Sequence, residues 1–225
     1  MNSKEKYQEI FLASHSLFLS QGFEETTIRQ ISIKAGVSLG LTNHFFHSKQ
    51  NLALLILNML VQYVMDFCHR HSDIADDPLL NTSVCTRVIN LFLTRGHYRQ
   101  FYLDCLKHDI FFQNLQKSPN RSIYQLAEQY HFPVDDDLFL LYGQYIPYNM
   151  EKTLVLKKQQ GLFPTISEED IPDFIITSKF EHFLDMQILH DCLLQARKIA
   201  AELLEKIEEP VPENYVLRYL ESAEP

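Results

Sequence analysis

Glycine is scarce in this chain of 225 residues, with six in all, and Gly22, Gly36, Gly96 and Gly161 fall where runs of apolar residues at helical spacing stop. A chain that can seldom visit positive φ builds few tight hairpins, so helices joined by short corners are the default. Between the stops, apolar residues recur at i, i+3, i+4 and i+7, the spacing of one helical face. Tyr7, Ile10, Phe11, Ser14, Leu17 and Phe18 predict a helix over 4–21 that ends at Gly22. A hydroxyl at Thr26 or Thr27 can cap a second helix running to about 35. Gly36-Val37-Ser38 then forms a corner, and short and long helices follow over 39–45 and 49–71.

The pattern stays helical to the end. Helices are expected over 79–94 and 98–112, from Ser118-Pro119 to 130, and over 135–160 with a kink at Pro147. Ser167 with Asp170 resembles a capping box. The stretch 173–209 has neither Gly nor Pro and carries the stripe Leu189, Leu193, Ala196, Ala200, Leu203 and Ile207; one helix or two would satisfy it. The final dozen residues read as a short helix or a loose tail. With no internal repeat and no convincing strand pair, the fold class is all-α.

Charge is unevenly spread. The chain carries −9 overall, yet residues 1–50 hold +1 and the remainder −10. A DNA partner is therefore compatible with the first segment alone. Cys68, Cys85, Cys105 and Cys192 form no CxxC pair and read as buried small side chains in a reducing cytoplasm. No signal peptide opens the chain, and unbroken apolar runs fall short of the roughly 18–20 residues of a membrane span, so a cytoplasmic protein without membrane attachment is expected. His69-x-His71-x-Asp73 is a poor metal motif, because i and i+2 do not share a helix face. There is no Gly-x-Ser-x-Gly elbow, HExxH or phosphate-binding Gly-rich loop. No enzyme, cofactor or metal is expected.

Residues 27–45 place two short helices about Gly36-Val37-Ser38, the layout of a helix-turn-helix. The wider string runs Phe18-(x)3-Gly22-Phe23-Glu24-Glu25-Thr26-Thr27-Ile28-Arg29-Gln30-Ile31, Ala35-Gly36-Val37-Ser38-x-Gly40, His44-Phe45-Phe46-x-Ser48-Lys49-x-x-Leu52. It resembles the TetR family of bacterial transcriptional regulators across roughly residues 7–55. A softer similarity lies at Gln160-Gly161-Leu162-Phe163-Pro164 through Ile171.

The resemblance implies a homodimer. Each chain would carry a three-helix DNA-binding domain over 1–48 and a larger helical effector-binding and dimerisation domain over 49–225, with 49–71 as the connecting helix. It implies DNA contacts by Thr27 and Arg29 at the start of the first helix of the motif. Ser38, Leu39, Gly40, Leu41, Asn43 and His44 would lie on the recognition helix, with Lys49 beside the phosphates. The chemistry fits: Arg can fork onto guanine, Asn onto adenine, and a helix N-terminus can hold phosphate. Two departures stand out: the family commonly has Tyr where Asn43 stands, and often an apolar residue where Thr42 stands. Phe45 and Phe46 are expected in the core of the small domain.

The function this implies is a ligand-responsive regulator, a repressor released from a palindromic double-stranded operator by a small, partly apolar effector. The alternative is the same fold acting mainly as a protein-interaction module with weak or non-specific DNA binding. The second domain is rich in aromatics, and Tyr98, Tyr102, Tyr142, Tyr145 and Asn149 are the expected pocket lining.

Overall fold

Helix boundaries in the computed structural model, which describes residues 2–112 and 122–222, follow side-chain caps closely. Helix α1 (Ser3–Gln21) opens on a capping box between Asn2 and Glu5 and closes at Gly22, φ 90°, whose N–H returns to the Phe18 carbonyl. Thr27 and Gln30 form a second capping box for α2 (Ile28–Lys34), and Ser38 caps α3 (Leu39–Phe46). The Ser48 hydroxyl accepts the Asn51 N–H, 3.1 Å, in the first turn of α4 (Lys49–His71). Asp77 accepts the N–H groups of Leu79 and Leu80 at 3.0 Å to start α5 (Pro78–Thr94). A single 3₁₀ turn at Gly96–Tyr98 leads into α6 (Arg99–Lys107). Then come α7 (Ser122–Tyr130), α8 (Asp136–Leu140), α9 (Ile146–Gln159), α10 (Ile171–Phe180), α11 (Met186–Leu204) and α12 (Glu213–Ser222). No strand occurs among the described residues, and the expected start at Ser118-Pro119 lies outside them.

Three expectations are refined. The helix expected over 98–112 stops at Lys107, and Asp109 follows at φ 51°. The helix expected over 135–160 is interrupted by a turn of π-helix at Leu141–Tyr145, so Pro147 falls in the first turn of α9, where a missing N–H is best tolerated. The stretch 173–209 holds two helices. Asp185 divides it by accepting the Gln187 N–H at 2.7 Å and so capping α11 without help from Gly or Pro.

Packing divides the chain into two compact units. The first comprises residues 1–63, 95–111 and 208–225, so α6 and α12 join α1–α3 and the first part of α4, beyond the limit expected at residue 48. Its core is aromatic: the Phe18 ring lies 5.4 Å from Phe23 and stacks on Phe101 at 5.9 Å. Fully buried Tyr98 accepts the Val211 N–H at its hydroxyl, 2.7 Å, and Tyr63 donates to the Glu208 carbonyl, 3.1 Å. These bonds anchor the segment leading to α12.

The second unit comprises residues 64–94 and 112–207. Helix α5 is buried on nearly every side and carries a polar stripe at i, i+4, i+7 and i+11: Ser83, Arg87, Asn90 and Thr94. Arg87 bonds the Asp173 carboxylate and the Glu169 carbonyl. Arg197 bonds Asp173 and, at 3.0 Å, Asp170, so one acidic pair on and before α10 clamps α5 and α11. Hydrogen bonds from Ser167 and Arg197 hold the Asp170 carboxyl down at about 2. All four cysteines are buried and free.

Helix α4 corrects one sequence expectation. Its 23 residues include an 18-residue stretch with a mean hydropathy of 1.5, long and apolar enough by length and composition to cross a membrane. However, Leu52, Ala53, Ile56, Leu57, Leu60, Tyr63, Val64, Phe67 and Cys68 form a buried stripe at intervals of one, three and four residues. That periodicity is what packing against protein requires.

Candidate nucleic-acid interface

The corner between α2 and α3 is closed by its backbone. Gly36, at φ 65°, sends its N–H to the Ile33 carbonyl, and Val37 sends its own to Ser32, the paired bonds of a Schellman turn. A buried hydroxyl pair then fixes the two helices to each other. Thr42 and Ser32 are 0% and 3% exposed, their Oγ1 and Oγ atoms lie 2.8 Å apart, and Ser32 Oγ also donates to the Ile28 carbonyl, 2.8 Å. The departure at Thr42 is thus matched by a serine on the facing helix. Phe46 is buried and stacks on Tyr7 at 4.6 Å, and half-buried Phe45 meets the same ring edge-on at 5.8 Å, so both serve the core as expected.

With Thr42 and Phe46 turned inward, the rest of α3 is presented outward. Ser38, Leu39, Gly40, Asn43 and His44 are exposed, Leu41 is half-buried, and Thr27 and Arg29 are exposed at the start of α2. The hydroxyls of Thr27 and Ser38 accept N–H groups of their own first turns, at 3.2 Å each. No described residue pairs with the Arg29 guanidinium or the Asn43 amide, so both keep their donors for a partner.

Lys49 is placed differently. Its ammonium donates to the carbonyls of Phe23, 2.7 Å, and Glu24, 3.3 Å, and lies 4.2 Å from the centre of the Phe23 ring. Burial pulls its pKa below the ordinary lysine value, against the opposing pull of Glu24, Asp104 and Glu25. In the free protein this side chain ties α4 to the corner before α2 instead of reaching outward. The other side of the same peptide is held by Asp104, 3% exposed on α6, which accepts the Phe23 N–H at 3.2 Å and is itself bonded by Gln100 and Lys107. Asp104 was not legible as a site residue, because an acid three positions before a lysine reads as a surface ion pair.

The expected pocket residues are not gathered within one unit. Tyr98 and Tyr102, both buried, belong to the first; Tyr142, Tyr145 and Asn149 belong to the second. Tyr142 stacks on His182 at 4.6 Å, Tyr145 meets Phe112 edge-on at 5.0 Å, and Asn149 donates to the Tyr145 carbonyl at 2.8 Å.

A capped helix pair about a Schellman corner, with one helix turned outward from a small aromatic core, defines a helix-turn-helix DNA-binding domain. Residues 10–56 match the model of bacterial regulatory proteins of the tetR family. No curated protein matches the chain. Among solved structures, RolR without ligand aligns over 91% of this chain and 98% of its own, at 15% identity and a TM-score of 0.54, a likeness of fold. Thermus thermophilus FadR, a transcriptional repressor of the same family in complex with lauroyl-CoA, aligns over 91% of this chain and 97% of its own, at 19% identity and a TM-score of 0.40.

Proposed function

We propose that this protein is a dimeric, cytoplasmic transcriptional repressor that binds a palindromic operator and releases it when a small-molecule effector occupies the second unit. One observation carries the reading. The outward face of α2 and α3 offers a guanidinium, a carboxamide and an imidazole on Arg29, Asn43 and His44, while Thr42 and Phe46 are turned inward and hold α3 to its own unit. Arg suits guanine O6 and N7, Asn suits adenine N6 and N7, and Gly40 lets the backbone come close to DNA. The protein has no catalytic role in this scheme.

Dimerisation is supported by apolar side chains left in solvent on the second unit: Phe174 on α10 and Met186, Ile188 and Leu194 on α11, each 41% exposed or more. Large apolar side chains left exposed on a folded unit suit a protein contact, and a second copy supplies the two-fold axis a palindrome needs. Release follows from a population shift, because an effector that prefers one conformation draws the protein toward it. Lys49 and Asp104 give α4 and α6 their grip on the peptide that precedes α2.

Selection of bound sequences from a random double-stranded library tests the reading. A palindromic consensus with two half-sites, bound as a dimer, is expected. Sequence-independent binding that disappears at moderate salt would favour the interaction-module alternative instead. Leu194→Glu with Phe174→Glu should give a folded monomer with weakened operator binding; an unchanged dimer would move the interface elsewhere.

A further inference from the structure

Lys179 stands out in the second unit as a buried cation with no counter-ion among the described residues. It follows Pro172, Ile175 and Ile176 by seven, four and three residues, so it projects from the same buried face of α10, and it is only 8% exposed. Among the described residues no carboxylate or carbonyl lies within bonding reach of its ammonium, whose one recorded contact is the Phe180 ring at 5.4 Å. Burial alone pushes its pKa down to about 8, with no acid nearby to oppose it. An ammonium removed from water without a counter-ion is costly, and folded proteins seldom tolerate one idly.

One further polar group is left incomplete on an element that packs against α10. Asn90 on α5 is 1% exposed; its amide nitrogen donates to Glu151 at 2.7 Å, but its Oδ1 accepts from no described residue. Helix α10 packs on α5 and on α9. A buried polar group without a partner is costly, so Lys179 and Asn90 on packed helices of one unit point to a missing partner.

We propose that the second unit binds an amphipathic organic anion. Its carboxylate or sulfonate pairs with the Lys179 ammonium, a hydrogen-bond donor on the ligand satisfies Asn90 Oδ1, and its apolar body lies against Ile175 and Ile176. This deepens the reading of that unit as the effector domain, and rests on it.

The test uses the full-length protein and two dyes that share one ring system, anilinonaphthalene sulfonate and its uncharged counterpart phenylnaphthylamine. The sulfonate should bind the wild type with a fluorescence increase at one site per chain. Lys179→Met should weaken it by about tenfold or more, Lys179→Arg should largely restore it, and the neutral dye should be unaffected by either change. Without any dye, Lys179→Met should raise the unfolding temperature, since it removes an uncompensated charge at nearly constant volume. The proposal is overturned if Lys179→Met leaves sulfonate binding intact, weakens both dyes equally, or lowers the unfolding temperature of the dye-free protein. Operator affinity is measured in parallel. Lys179-dependent sulfonate binding that leaves operator affinity unchanged upholds the anion site and refutes effector-controlled release, so the two failures are distinguishable.

Discussion

The buried pair Ser32–Thr42 can be taken apart one hydroxyl at a time, and the two halves should not cost the same. Ser32 spends its own proton on the Ile28 carbonyl, 2.8 Å away, so in the 2.8 Å contact between the hydroxyls Thr42 is the donor. Thr42→Val keeps the side-chain shape and removes that donor, leaving a serine oxygen one bond short but still anchored; the loss is about 1 kcal/mol. Ser32→Ala does more damage. It strands the Thr42 hydroxyl at a fully buried position, at a cost of about 1–3 kcal/mol. Changing both together leaves no stranded group, so the double variant should lie near the wild type, with a coupling of about 2–4 kcal/mol. Hydrogen exchange of the α2 and α3 amides, supported by urea midpoints, reads the cycle locally and avoids assuming that both units unfold together. Strictly additive costs would refute the reasoning, because they would mean the hydroxyls do not depend on each other.

The remaining expectations can be checked separately. Arg29→Ala and Asn43→Ala should each relax base preference at one operator position by about 1–3 kcal/mol in a binding titration over single-base variants. Lys49→Met should lower the stability of the first unit while leaving the salt dependence of DNA binding nearly unchanged; a fall in salt slope of about one unit would show that Lys49 leaves its carbonyls for a phosphate. His15 has its pKa held down at about 4, against 6.5 for an ordinary histidine, by burial and by the neighbouring His97. Between those values the unfolded chain takes up a proton the folded one refuses, so stability present above pH 6.5 is lost as pH falls toward 4, and His15→Phe should flatten that slope. Asp173→Ala should cost about 3–5 kcal/mol, since it leaves buried Arg87 with only the more distant Glu169 carboxylate, 3.8 Å away, whereas Arg197→Ala, at a half-exposed position, should cost far less.

Local chemistry made much of the fold readable from sequence. Gly22, Thr27, Ser38 and Asp135 announce helix ends because their conformations or hydroxyl and carboxyl groups act within a few residues, and the structure places caps at each. The outward face of α3 was equally legible, since the spacing of Thr42 and Phe46 fixes which side is buried. What escaped depends on distant partners. The break before α11 relies on a single aspartate, and α6 reaches the corner before α2 through Asp104, which no periodicity reveals. Lys49 is expected from the sequence beside the phosphates, but its carbonyl partners in the fold are set by the path of the α1–α2 corner. Lys179 was unreadable for a similar reason: a lysine in a helix looks solvated until the packing of α10 is known.

The first unit is assembled from three separated stretches of chain, and this imposes an order of events during synthesis. Residues 1–63 leave the ribosome early, with the helix-turn-helix complete in sequence, but Val211, Tyr215, Val216 and Leu220, all buried in the same unit, emerge only after the whole of the second unit has been made. Until then the Tyr98 hydroxyl has no Val211 N–H to accept and the Tyr63 hydroxyl no Glu208 carbonyl to meet. A nascent chain therefore carries an unfinished DNA reader while its second unit is already free to fold, and any product cut short before residue 208 keeps the recognition helix but lacks the segment that closes the unit around it. The first unit is in this way completed only by residues made after the whole of the second.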